Sequence, residues 1–381
     1  MGLTAQSMGR GALNEMFMAE RNSPDEMVIA LAGNPNVGKS TVFNSLTGLN
    51  QHTGNWPGKT VANAHGRYRH KDKNFIMVDI PGTYSLMANS AEEEIARDFV
   101  CFGKPDATVV VTDATCLERN LNLVLQTLEI TDRAVVCVNL VDEAKRKKIS
   151  VDCKELSGRL GVPVIPTNAR SNKGLKELMD AVYDVAGKRV VTSPVHIAYD
   201  DAIEQAVKML QPKIRELAGD KINHRWAALK LLDGDAAILD SLNRYLELNL
   251  TEDKELSGLL ESAGRSLAEN GIRPDQLRDR VVSRLVRMAE GISGSTVTFG
   301  DKRHYSADRR IDSILTSRIF GIPIMLGLLA VVFWLTIAGA NIPSEMIAAF
   351  LFGIGERLTG LFARAGAPDW LHGILVLGVY R

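Results

Sequence analysis

Gly33-Asn34-Pro35-Asn36-Val37-Gly38-Lys39-Ser40-Thr41 decides the fold of this 381-residue chain. The spacing G-x-x-x-x-G-K-S lets backbone N–H groups turn inward around phosphates, directs Lys39 to the β and γ oxygens and offers the Ser40 hydroxyl to Mg²⁺. Its context fits. Met27-Val28-Ile29-Ala30-Leu31-Ala32 reads as a buried strand, and Ser40 to Leu46 reads as a helix whose N-terminal dipole faces the phosphates. A nucleoside triphosphate site is therefore expected at this turn.

Working outward, short apolar runs alternate with helical segments as far as residue 187. Val28 to Ala32, Asn74 to Asp79, Thr108 to Asp113, Val135 to Asn139 and Val162 to Pro166 predict an α/β fold: a mostly parallel sheet with helices on both faces. From about Ser193 helical spacing replaces these runs. Ile203, Val207, Leu210, Ile214 and Leu217 share one face, with Pro212 expected to kink or split the helix. Helices through Trp226 to Leu232 and Leu277 to Met288 complete an all-α bundle whose apolar stripes read as core.

Lys+Arg and Asp+Glu are equal at 45 each, which argues against a nucleic-acid partner. Cys101, Cys116, Cys137 and Cys153 lack metal-ligand spacing and read as small core residues. The first 26 residues hold no apolar run of the secretory kind. Ile319 to Ser344, by contrast, is a run of 26 residues without a charge, and about 20 helical residues cross a hydrocarbon core. Lys302, Arg303, His304, Arg309, Arg310 and Arg318 precede it and place that flank in the cytoplasm. Expected boundaries are a flexible extension 1–26, a nucleotide-binding domain 27–190, a helical regulatory domain 191–295, a basic linker 296–318, a transmembrane helix 319–344, an amphipathic helix 345–368, and in 369–381 the start of a membrane segment cut short.

Three more motifs fall at the ends of predicted strands. Asp79-Ile80-Pro81-Gly82 is a D-x-x-G turn, in which Asp79 holds Mg²⁺ through water and the Gly82 N–H bonds the γ-phosphate. Gly58-Lys59-Thr60 lies between this turn and the first loop, with Thr60 placed to add its hydroxyl to magnesium; a loop threonine also commonly bonds its own backbone. Asn139-Leu140-Val141-Asp142 fits N-x-x-D, where the carboxylate accepts from guanine N1–H and the 2-amino group, with an ordinary surface Asp142 as the alternative. Thr167-Asn168-Ala169 occupies the place of a base-contacting loop. The ordered set favours GTP and GDP over ATP. Lys39, Thr60 and Gly82 are the catalytic candidates, and Thr83 in place of a water-orienting Gln predicts slow intrinsic hydrolysis or a different way of placing the water.

These residues resemble the FeoB family of bacterial ferrous iron transporters. The marks are GNPNVGKST, GNWPGKTV, DIPGTYSL, DATCLERNLNL from Asp113, NLVDEAKRK and the RWAALKLLDGD run from Arg225. The resemblance implies a GTPase that regulates or drives Fe²⁺ uptake across the bacterial inner membrane. It further implies a K⁺ ion beside Asn36 that assists catalysis, later membrane segments or other protomers as partners, and a small adaptor protein. Lys59 departs from the usual apolar residue. Competing readings are a membrane-tethered GTPase switch without transport, and a ribosome-assembly GTPase, against which the apolar span argues.

Overall fold

The computed structural model describes residues 23, 25–48, 51–56, 62–87, 90–246, 253–300, 314–315, 317, 320–366, 368–374 and 378. Gly58, Lys59 and Thr60, most of the extension 1–26 and most of the linker 296–318 lie outside them. Two compact units are present, residues 1–300 and 301–381, each described by itself.

In the first unit, strands β1 (Met27–Gly33), β2 (Gln51–Asn55), β3 (Ala62–His70), β4 (Lys73–Asp79), β5 (Ala107–Asp113), β6 (Ala134–Asn139) and β8 (Val164–Pro166) form one sheet in the order β2-β3-β4-β1-β5-β6-β8. β1 is parallel to β4 and β5, and β6 is parallel to β5 and β8, so the carboxyl ends of all five lie at one edge. β2 and β3 pair antiparallel. Neither was expected, because QHTGN and ANAHGRYRH lack an apolar run; β3 shows only the weaker alternation of exposed His65, Arg67 and Arg69 with inward Gly66 and His70.

The Val- and Ile-rich strands are covered on both faces, as their unbroken apolar character requires. Ile29, Leu31, Met77, Val109 and Val135 pack under helices α1 (Lys39–Thr47) and α6 (Leu175–Ala186). Val28, Ala30, Val78, Val110 and Val136 pack under α2 (Ala91–Phe102) and α3 (Leu117–Ile130). This second core runs without interruption into the helical segment through Ile203, Val207, Trp226, Leu229, Leu256, Leu277 and Leu285. α4 (Val141–Arg146) and α5 (Cys153–Leu160) complete the wound part. β7 (Ile149–Val151) between them pairs antiparallel with β9 (Val297–Phe299), at the far end of the unit.

The helical segment holds α7 (Asp201–Ala218), α8 (His224–Leu232), α9 (Ala236–Leu246), α10 (Lys254–Glu269) and α11 (Pro274–Thr296). Pro212 does not split α7. It is exposed, as is Lys208 one turn earlier, so solvent can satisfy the carbonyl that loses its donor. Cys101 and Cys137 are core residues as expected, but Cys116 is exposed and Cys153 only half-buried, since both sit at the first turn of a helix.

The second unit is built on α12 (Gly321–Arg364), 44 residues long and followed by α13 (Asp369–His372). At 1.5 Å per residue α12 extends about 66 Å. It continues through 344, where a boundary was expected, with Pro343 inside it. Among the described residues its Pro343–Arg364 portion is long and apolar enough to cross a membrane, and Gly321–Ile337 is apolar but shorter. Leu328, Phe333, Trp334, Phe350 and Leu361 all point outward from it.

Candidate nucleotide site

Four turns leave the sheet at the edge shared by the parallel strands. Residues 34–38 follow β1, residues 80–83 follow β4, Leu140 follows β6 and residues 167–169 follow β8. All the motifs within the described residues converge there.

The first turn is shaped by backbone conformation. Asn36 (φ 66°) and Gly38 (φ 80°) adopt the left-handed region, which reverses the chain so that α1 starts at Lys39. At Gly38 a Cβ would come within 2.5 Å of Asn139 Nδ2. Only glycine fits both the angle and the gap. Asn36, Ser40 and Thr41 are exposed, whereas Asn34, Val37 and Lys39 are buried and Pro35 is half-buried.

Lys39 Nζ is hydrogen-bonded to Asp79 Oδ1. Burial pushes the Asp79 carboxyl above its usual value, and the Lys39 ammonium opposes that shift in part. An ion pair this enclosed has been stripped of most of its water and depends on its partner for compensation. Beyond Asp79, Ile80 N donates to Leu31 O at 3.2 Å and Thr83 N to Gly33 O at 3.2 Å, pinning the D-x-x-G turn to the end of β1. Ile80 and Thr83 are buried, and Pro81 and Gly82 partly so.

Asn139 is 1% exposed and engages every polar atom of its amide within the protein. Nδ2 donates to Val37 O at 3.0 Å, and Oδ1 accepts from Ala169 N at 3.1 Å and Thr167 Oγ1 at 3.2 Å. It therefore ties the first turn to the last. Ser45 Oγ of α1 adds a second tie to Ala169 O at 3.1 Å. Leu140 takes a left-handed conformation (φ 60°), after which Val141 N reaches Thr167 O at 3.4 Å. Asp142 then stands in the first turn of α4 with its side chain 47% exposed and Arg146 3.7 Å away. Asn168 is half-buried and Ala169 buried.

The predicted residues thus divide by position. Asn36, Ser40, Thr41 and Asp142 are open to a ligand; Val37, Asn139, Thr167 and Ala169 form a buried frame. Hard oxygens at Ser40 and Asp79 suit a magnesium ion. Two anchors escaped sequence reasoning. Trp56, in the GNWPG stretch, is 3% exposed and packs edge-on against Phe99 of α2, with ring centroids 5.5 Å apart. Leu86 and Met87 are buried, Leu86 N donating to Gln126 Oε1 at 2.7 Å and Met87 O accepting from Arg278 Nη2 at 3.0 Å. A tryptophan inside a polar loop was the available signal for the first.

A phosphate loop, a D-x-x-G turn and an N-x-x-D turn on one edge of a wound sheet define a P-loop GTP-binding domain, here continued by a helical domain. Residues 27–182 match the family model described as ferrous iron transport protein B, and residues 199–298 match the FeoB cytosolic helical domain. The chain belongs to the FeoB family.

Among curated relatives it is 32% identical over 360 residues to the Fe(2+) transport protein A/Fe(2+) transporter FeoB fusion protein of Porphyromonas gingivalis, covering 92% of this chain and 42% of the relative. It is 29% identical over 354 residues to Fe(2+) transporter FeoB of Staphylococcus aureus, covering 92% and 51%. The chain spans about half the length of the curated relatives it matches. Among solved structures, the cytosolic domain of the T. maritima FeoB iron transporter in apo form aligns with a TM-score of 0.59 at 30% identity, covering 72% of this chain and 100% of that one. A mutant S. thermophilus NFeoB bound to GDP aligns at 0.60 and 28%, covering 71% and 100%.

Proposed function

We propose that this chain is the GTP-binding and GTP-hydrolysing part of an Fe²⁺ uptake transporter of the bacterial inner membrane, with its first unit cytoplasmic. The observation that carries the reading is the convergence of Lys39, Asp79, Gly82, Asn139 and Asp142 on one sheet edge. The likeness to the S. thermophilus NFeoB mutant bound to GDP and to the Fe(2+) transporters among the curated relatives supports it.

In this reading Lys39 leaves Asp79 for the β and γ oxygens, and Ser40, Thr60 and Asp79 hold Mg²⁺. Magnesium supplies charge neutralisation for the departing phosphoryl group. Gly82 donates its N–H to the γ-phosphate, so hydrolysis releases the turn. Asp142 accepts from the guanine edge, and backbone groups of Thr167, Asn168 and Ala169 flank the base. Catalysis is positioning and electrostatics, and with buried Thr83 where a water-orienting Gln would stand, the intrinsic rate is slow. Asn36, which is exposed, would hold a K⁺ ion that supplies positive charge to the phosphates. The exposed apolar surface of α12 meets the lipid bilayer and further membrane segments or other protomers; a small adaptor protein is a further partner and nucleic acid is not.

The testing experiment titrates the purified chain with fluorescent GDP and competes it with GTP and ATP. Displacement by GTP at least a hundredfold better than by ATP is expected, and equal competition would overturn the assignment. Reconstitution of the complete transporter into vesicles, with and without Lys39→Ala, tests Fe²⁺ flux; undiminished flux would remove GTP from the transport step.

A further inference from the structure

Asn34 is 2% exposed, yet neither its Nδ2 nor its Oδ1 has a hydrogen-bond partner among the described residues. A buried amide in that condition is costly, and native proteins retain few. Its neighbours show where a partner could come from. β1 pairs Leu31 with Asp79 on one side and Gly33 with Val111 on the other, so Asn34 leaves the sheet between the D-x-x-G turn and the end of β5. Alternation through Ala30 and Ala32 places its side chain on the face covered by α2 and α3, the face on which Leu86 and Met87 are packed.

The D-x-x-G turn lies directly on the backbone flanking Asn34. A Cβ on Gly82 would stand 3.5 Å from Pro35 N and 3.6 Å from Gly33 O, and Thr83 N donates to Gly33 O. The segment that carries Gly82 is thus held against the residues on both sides of an amide it does not bond.

We propose that Asn34 is a positioning residue for the γ-phosphate response: its amide bonds the Gly82–Ser85 segment only when that segment has been drawn to a bound triphosphate. This rests on the GTP-binding reading above. The partnerless amide raises the free energy of the ligand-free arrangement, and pairing it lowers that of the triphosphate-bound arrangement. Asn34 therefore biases the turn toward GTP without touching the reacting atoms.

The experiment compares the full chain with Asn34→Leu, which keeps the branched outline of four heavy atoms and removes both polar groups, and Asn34→Ser, which keeps a hydroxyl. Melting temperature without nucleotide, Kd for GDP and for a non-hydrolysable GTP analogue, and GTP turnover are measured. Asn34→Leu should melt higher than wild type, bind the analogue about tenfold more weakly as expected for one lost buried hydrogen bond, keep GDP affinity within about twofold, and turn over GTP about tenfold more slowly. Asn34→Ser should recover part of the analogue affinity. A lower melting temperature for Asn34→Leu would show that the amide is already paired in the ligand-free protein, and an unchanged ratio of analogue to GDP affinity would show that it does not follow the γ-phosphate; either overturns the proposal. Failure of the wild type to bind either nucleotide would instead overturn the functional reading itself, and this inference with it.

Discussion

Replacing Asn139 with Ala tests the buried frame of the site. The substitution removes the donor to Val37 O (3.0 Å) and the acceptor of Ala169 N (3.1 Å) and Thr167 Oγ1 (3.2 Å). The Thr167 hydroxyl keeps a weak contact with Cys137 Sγ at 3.1 Å. Val37 O and Ala169 N lose a partner at a position that is 1% exposed. Two orphaned backbone groups at about 1–3 kcal/mol each, with the lost hydroxyl bond at about 1 kcal/mol, give roughly 3–7 kcal/mol. For a unit of 300 residues, which unfolds with an entropy of about 0.6 kcal/mol/K, that lowers the melting temperature by about 5–11 °C. Thermal unfolding followed by circular dichroism reads it, with a GDP titration of the folded variant beside it. Since Asn139 joins the turn at residues 34–38 to the turn at residues 167–169, GDP affinity should fall although the side chain faces no solvent. A variant within about 1 kcal/mol of wild type would refute the frame and leave Asn139 an ordinary buried amide.

Gly38→Ala combines an unfavourable left-handed φ with a 2.5 Å approach to Asn139 Nδ2, and should cost about 2–4 kcal/mol by thermal unfolding along with nucleotide affinity. Asp142→Asn should exchange guanine for xanthine preference in competition binding with little change in melting temperature, because the side chain is 47% exposed and its nearest cation is 3.7 Å away. GTP turnover should be faster in K⁺ than in Na⁺ and lose the difference in Asn36→Ala; equal rates in the two salts would remove K⁺ from the site. At the β3–β4 turn, hydrogen bonds from Lys71 and then His70 hold the Asp180 carboxyl down to about 2. That stability is present above the unfolded value of about 3.9 and is lost as pH falls through about 2, so Asp180→Asn should flatten the acid limb of unfolding between those values.

The sheet was legible where burial on two faces leaves an unbroken apolar run, as in Met27–Gly33 and Ala134–Asn139, and illegible where one strand is polar, as in Ala62–His70. The three motif turns could be located from spacing alone because each follows a strand end. Roles inside the turns were less visible. Nothing in NLVD separates Asn139, which engages its amide with three backbone and side-chain partners, from Asp142, which points outward. That difference arises from a 102-residue separation between Asn139 and Val37 that only the fold closes. The helical segment gave its stripes but not its boundaries. α9 and α10 went unseen, and Pro212 was tolerated because solvent reaches the turn it disturbs.

The helical segment is not an appended body, because the apolar face under α2 and α3 continues into it. Charge is buried along the same seam. Glu129 of α3 accepts from Tyr199 Oη at 2.8 Å and from Arg225 Nη1 of α8 at 3.2 Å, while Arg225 Nη2 reaches Glu204 of α7 at 2.6 Å. Burial raises the Glu129 carboxyl while these two partners act to lower it, so its charge depends on residues of the helical segment. At the far end β9 closes onto β7 instead of stopping at the bundle: Asp152 N donates to Thr296 O at 2.8 Å and Gly300 N to Lys148 O at 2.7 Å. β7 begins three residues after α4, whose first turn carries Asp142. β9, the last described strand of the first unit, is therefore fastened beside the helix whose first turn carries Asp142.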